Sequence, residues 1–175
     1  EEMMYLKDKY LGKYPQLRDK KVITYAPTFR GAPKERGMFT LHLDINKMAM
    51  ALRHDYVLVL KLHPSVTKQP AIPNELKDFV LNLSNDDMNH LLAITDVLIS
   101  DYSSLIFGFA LLNKPMVFFS CDLGQYIDER GFYYDYEQCV PGPIVRTTGE
   151  LIQTIQENQF DNLEAHRALQ HLNLK

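Results

Sequence analysis

Val97-Leu98-Ile99-Ser100-Asp101-Tyr102-Ser103-Ser104-Leu105-Ile106-Phe107 reads as a strand, a turn and the opening of a helix. The apolar run before Ser100 does not alternate with polar residues, which suits a strand covered on both faces. Val57-Leu58-Val59-Leu60 has the same character. Working outward, short β-branched or apolar runs at Val22–Tyr25, Tyr56–Leu62, Phe79–Leu83, Val97–Ser100 and Met116–Ser120 alternate with helical patterns. The helices are expected near residues 2–12, 44–54, 86–95, 103–113, 148–157 and 161–172. Asp44 and Asp86 are expected to cap the second and third of these helices, and Thr148 to mark the start of the fifth. This alternation predicts an α/β fold, a three-layer Rossmann-like domain with a mainly parallel five-stranded sheet of order 3-2-1-4-5. Residues 64–73 contain three prolines and read as irregular surface chain.

The 175 residues fit one domain, with residues 1–19 as a leading helix and linker. Hydrophobic residues at 46% and charged residues at 23% exclude a disordered chain. A net charge of −3 provides no general footprint for nucleic acid or an anionic bilayer. Cys121 and Cys139 lack the paired spacing of a zinc or redox site, as a reducing cytosol permits. No stretch approaches the roughly 20 apolar residues of a membrane span, and no signal-peptide pattern opens the chain. The opening Glu1-Glu2-Met3-Met4-Tyr5-Leu6-Lys7 reads as the middle of a helix, so we expect a domain excised from a longer protein.

In an open parallel sheet, ligands sit beyond the carboxyl ends of the strands where the strand order reverses. With the expected order, that crevice lies between Ala26-Pro27-Thr28-Phe29-Arg30-Gly31 and Ser100-Asp101-Tyr102-Ser103-Ser104. Ser103 and Ser104 open a helix, where free N–H groups and hydroxyls suit a phosphate; they equally suit ordinary helix capping. Arg30, with Thr28 in the same loop, offers a guanidinium fork for phosphate oxygens, or is a solvated loop arginine. His63, held by Pro64 at the end of the second strand, suits donation to a phosphate or a leaving group, or a structural role. The chain has no G-x-G-x-x-G after its first strand, no P-loop and no H-E-x-x-H helix. Asp86-Asp87 reads as a helix start and Asp128-Glu129 as solvated loop, so no metal site is expected.

Six segments in order carry a resemblance: Tyr25-Ala26-Pro27-Thr28-Phe29-Arg30, Lys61-Leu62-His63-Pro64, Asp101-Tyr102-Ser103-Ser104, Leu112-Asn113-Lys114-Pro115, Arg130-Gly131-Phe132-Tyr133 and Pro141-Gly142-Pro143-Ile144-Val145. Over about residues 20–157 the chain resembles the C-terminal, donor-binding domain of the CDP-glycerol glycerophosphotransferase family of teichoic acid primases and polymerases. The resemblance implies the C-terminal half of a two-domain GT-B enzyme, whose N-terminal domain supplies acceptor contacts and a further essential histidine. It implies that Arg30, Ser103 and Ser104 hold the donor pyrophosphate, with Thr28 in the same site, and that His63 is catalytic. Arg130 is a weaker candidate for the same anionic centre, and the Pro-Gly-Pro turn is expected to be structural. At Gly108, many relatives carry an acid, a departure that bears on ribose recognition.

The reaction so implied is attack of an acceptor hydroxyl on the β-phosphorus of CDP-glycerol or another CDP-polyol, releasing CMP. No cofactor beyond that donor is expected. A lipid-linked polyol-phosphate acceptor would reach the missing domain, with the full-length protein cytoplasmic and peripheral at the inner face of the membrane. The alternatives are a GT-B glycosyltransferase or epimerase using a UDP-sugar, and a non-catalytic nucleotide-binding module.

Overall fold

The structure is a computed structural model that describes residues 2–28, 41–101, 105–122 and 140–160, without the side chains of 105–107. Among the described residues, six strands form one sheet: β1 (Lys21–Tyr25), β2 (Tyr56–Leu60), β3 (Val80–Asn82), β4 (Val97–Ser100), β5 (Met116–Phe119) and β6 (Ile144–Val145). Their order is β3-β2-β1-β4-β5-β6, and every pairing is parallel. The expected order of the first five therefore holds. The sheet has a sixth strand where five were expected, directly after the Pro141-Gly142-Pro143 turn: Phe118 N–H donates to Pro143 O at 2.9 Å and Ser120 N–H to Val145 O at 2.9 Å.

Among the described residues, five α-helices accompany the sheet: α1 (Glu2–Lys13), α2 (Ile45–Leu52), α3 (Met88–Ile94), α4 (Leu105–Ala110) and α5 (Thr148–Gln156). Side chains alternate across each strand, so one strand feeds two cores. Ile23, Leu58, Ile99 and Val117 pack with Met48 and Leu52 of α2 and with Leu151 and Ile155 of α5. On the other face, Val22, Val57 and Val59 meet Tyr10 of α1 and Leu91 of α3, while Leu98, Met116 and Phe118 meet Phe109 of α4. This makes three layers and explains the unbroken apolar runs. Buried hydroxyls are satisfied: Thr95 Oγ1 donates to Leu91 O, so Thr24 Oγ1 donates to Thr95 Oγ1, each at 2.7 Å.

Two helix starts differ by one residue from expectation. Asp44 caps α2, accepting from Lys47 N at 3.0 Å. At α3 the cap is Asp87, not Asp86, accepting from Asn89 N at 2.7 Å. Asp86 instead accepts from Tyr10 Oη at 2.7 Å and ties α1 to the sheet. Burial and this carboxylate together push the Tyr10 phenol well above its ordinary range. At α5 the cap is Thr147, which accepts from Glu150 N. Thr148 Oγ1 accepts from Asp44 N and joins α5 to the start of α2. The expected helix at 161–172, and Cys139, lie outside the described residues.

Pro141-Gly142-Pro143 owes its form to a close approach. A Cβ on Gly142 would stand 2.2 Å from Met116 O and 3.0 Å from Met116 C, both backbone atoms of β5 that cannot yield without breaking the pairing. Gly142→Ala is expected to destabilise the domain by about 1–3 kcal/mol, seen as a melting temperature lower by ~2–4 °C per kcal/mol. An unchanged melting temperature would contradict this packing.

Candidate functional site

The strand order reverses between β1 and β4, so the crevice opens above Tyr25 and Ser100. The two loops leaving those strands are bonded to each other. Ala26 N–H donates to Ile99 O at 2.9 Å, extending the ladder by one residue, and Ser100 Oγ donates to Ala26 O at 3.2 Å. Thr28 N–H then donates to Asp101 Oδ1 at 2.8 Å. Asp101 is only 1% exposed. A buried carboxylate is costly unless hydrogen-bonded, and this bond to a main-chain donor holds the β1 loop against the end of β4. Asp101 thus has a positioning role that the sequence reading did not assign.

The β2 loop stands beside the same crevice. Lys61 N–H donates to Tyr25 O at 2.9 Å, which carries the β1–β2 pairing to the mouth of the sheet. His63 follows two residues later, its ring exposed. Ser65 N–H donates to His63 Nδ1 at 3.1 Å. A nitrogen that accepts an amide hydrogen carries no proton, so the neutral ring bears its hydrogen on Nε2. The imidazole is therefore set as an Nε2–H donor.

Of the site residues expected from sequence, Thr28 and His63 are both at the carboxyl end of the sheet, on loops of adjacent strands. Arg30, Ser103, Ser104 and Arg130 lie outside the described residues. Gly108 is exposed, and a Cβ there would meet nothing within 4 Å, so the main chain leaves room for a larger residue at this position.

The Leu112-Asn113-Lys114-Pro115 segment is structural. Asn113 adopts a φ of 52°, in the left-handed region that Asn tolerates. Lys114 Nζ reaches Thr95 O at 2.7 Å beyond the C-terminal end of α3, where a cation complements the helix dipole. Burial lowers its ammonium below the usual lysine range. Pro115 O accepts from Leu98 N at 3.0 Å.

A cavity of about 690 Å³ lies at the opposite, amino-terminal end of the strands, lined by Lys7, Lys21, Asp55, Tyr56 and Asp96 among others. It mixes charges of both signs and is separate from the crevice. Among the described residues no group of three or more His, Cys, Asp or Glu is arranged to hold a metal. No helix among them is long and apolar enough to cross a membrane.

Residues 5–175 match the family described as CDP-Glycerol:Poly(glycerophosphate) glycerophosphotransferase. The chain is 42% identical over 159 residues to the teichoic acid poly(ribitol-phosphate) polymerase of Bacillus spizizenii, covering 90% of this chain and 26% of that one. It is 38% identical over 164 residues to the teichoic acid poly(glycerol phosphate) polymerase of the same organism, covering 91% and 40%. The solved structure of the wall teichoic acid polymerase TagF superposes with a TM-score of 0.76 at 30% identity, over 94% of this chain and 41% of that one. A TagF variant soaked with CDPG superposes with a TM-score of 0.75. The chain thus spans between a quarter and a half of the length of these proteins. A family match over nearly the whole sequence, with the same fold in a solved relative, leads to one conclusion: the chain belongs to the CDP-glycerol glycerophosphotransferase family.

Proposed function

We propose that this domain binds a CDP-linked polyol, CDP-glycerol or a close analogue, and presents its β-phosphorus to an acceptor hydroxyl supplied through a second domain. The observation that carries the reading is the convergence of three family segments at one end of the sheet. The loops after β1 and β4 are bonded through Thr28 and Asp101, and His63 stands on the β2 loop beside them. In sequence, Arg30 follows Thr28 by two residues, and Ser103 and Ser104 directly follow Tyr102 and the anchored Asp101.

The acceptor oxygen forms a bond to the β-phosphorus as the bond to the CMP oxygen breaks, producing a phosphodiester and CMP. Negative charge spreads over the transferred group and the leaving CMP, so catalysis rests on positioning and on donors aimed at that charge. Arg30 supplies a bidentate fork, and Ser103 and Ser104 supply hydroxyls and amides at the start of α4. His63 donates from Nε2 to the leaving phosphate. The acceptor hydroxyl loses its proton to a base in the other domain. No cofactor enters these steps. A lipid-linked polyol phosphate as acceptor would bring the complete protein to the inner membrane face.

The test is CMP release from CDP-glycerol and CDP-ribitol by the complete enzyme, with and without a soluble polyol-phosphate acceptor. Acceptor-dependent CMP release is expected. Turnover of a UDP-sugar instead, or nucleotide binding without turnover of any donor, would overturn the proposal.

A further inference from the structure

His63 sits near the start of the loop between β2 and β3, ahead of its short 3-10 turn at Asn74–Leu76, and a closed circuit of hydrogen bonds holds that part of the loop. Beneath it, Leu62 and Val66 are buried at 1% and 4% exposure. Lys61 Nζ donates to Ser84 O and Asp86 O, both at 2.6 Å, and pins the end of β2 to the turn after β3. Leu62 N–H donates to Ser84 Oγ at 3.0 Å. Ser84 in turn donates to Asn82 Oδ1 from its hydroxyl at 2.5 Å and its amide at 3.1 Å. Asn82 Nδ2 donates to Gln69 Oε1 at 2.9 Å, and Gln69 Nε2 to Val66 O at 3.0 Å. The circuit closes through Val66 N–H on His63 O at 2.9 Å.

Asn82 is the hub. Its carbonyl oxygen collects two bonds from the Ser84 side, and its amide hydrogen reaches the far side of the His63 loop. A side-chain amide offers both acceptor and donor in one planar group. The circuit thus grips the histidine loop from both ends, leaving the imidazole itself exposed.

We propose that Asn82, Ser84 and Gln69 are positioning residues for His63: they fix the loop so that Ser65 N–H occupies Nδ1 and Nε2–H is aimed for donation. The proposal rests on the reading of His63 as the donor to the leaving phosphate. Its physical basis is that a misplacement of about 1 Å in a reacting group costs on the order of 10²-fold in rate.

The experiment uses the complete enzyme with CDP-glycerol and measures kcat and donor KM for Asn82→Ala and Gln69→Ala, each alone and in a His63→Ala background. Gln69 is exposed, so its variant keeps the fold even if loss of the half-buried Asn82 lowers stability. Each single variant is expected to lower kcat by about 10-fold or more, with donor KM changed less than about 3-fold. In the His63→Ala background neither should lower kcat further, because nothing remains to be aimed. An equal loss in both backgrounds, or no loss in either, would overturn the positioning role while leaving His63 in place. Wild-type turnover by His63→Ala alone would overturn the His63 reading and the proposal with it.

Discussion

Replacing His63 by alanine in the complete enzyme is expected to lower acceptor-dependent CMP release by ~10²–10⁴-fold, the contribution typical of a positioned acid or base. Donor KM should move little, since the pyrophosphate contacts are assigned to Arg30, Ser103 and Ser104. Stability should be nearly unchanged as well. The ring is exposed, and the bond it accepts from Ser65 N–H is one that water can replace. The combination matters more than the loss of rate. A fall in kcat with intact melting temperature and intact KM identifies a group that acts in the transition state. A fall in melting temperature comparable to that of a core substitution would instead mark His63 as structural.

The second large effect concerns the domain by itself. It is expected to bind CDP-polyol weakly and to transfer none of it, whereas the complete enzyme turns the same donor over. One wall of a crevice leaves the pyrophosphate partly in water. There, charge interactions are several-fold weaker than in a closed site of lower effective dielectric constant. The larger deficit is the acceptor. Holding two reactants together supplies up to ~7–11 kcal/mol of the barrier reduction, and that share is absent when the acceptor has no seat. The comparison is CMP release with acceptor present, at matched concentrations of domain and complete enzyme. Rates within 10-fold of one another would show that this domain contains the whole catalytic apparatus.

The parallel sheet was legible because its strands are buried on both faces. Val57 through Leu60 and Val97 through Ile99 must be apolar at every position, and an unbroken run of that length has few other readings. β6 was not legible, since two residues carry no periodicity. Its signal lay in Gly142, which marks a backbone approach to Met116 but does not say which strand is approached. The caps were off by one because Asp86-Asp87 and Thr147-Thr148 offer the same chemistry twice. Tertiary partners decide between them: Tyr10 claims Asp86, and the start of α2 claims Thr148.

The placement of the candidate residues was legible to the extent that strand order locates the crevice. That rule put Thr28 and His63 at the carboxyl ends of β1 and β2, where the structure has them. It could not indicate that Asp101 turns inward to take the Thr28 amide. Nor could it find the Asn82 circuit, which is assembled from residues 61–86 on one strand and two loops. Hydrogen bonds between elements leave no local pattern in a sequence.

The most direct test of the donor assignment is the thermal stability of this domain across CDP-glycerol, CDP-ribitol, CMP and a UDP-sugar. A ligand that binds only the folded state at 100 times its Kd adds about 2.7 kcal/mol, a rise of ~5–11 °C for a domain of this size. We expect stabilisation by the CDP-polyols, a smaller effect from CMP and none from the UDP-sugar, with Arg30→Ala losing most of the CDP-polyol shift. Equal or greater stabilisation by the UDP-sugar would contradict the assignment of this crevice to a CDP-linked polyol.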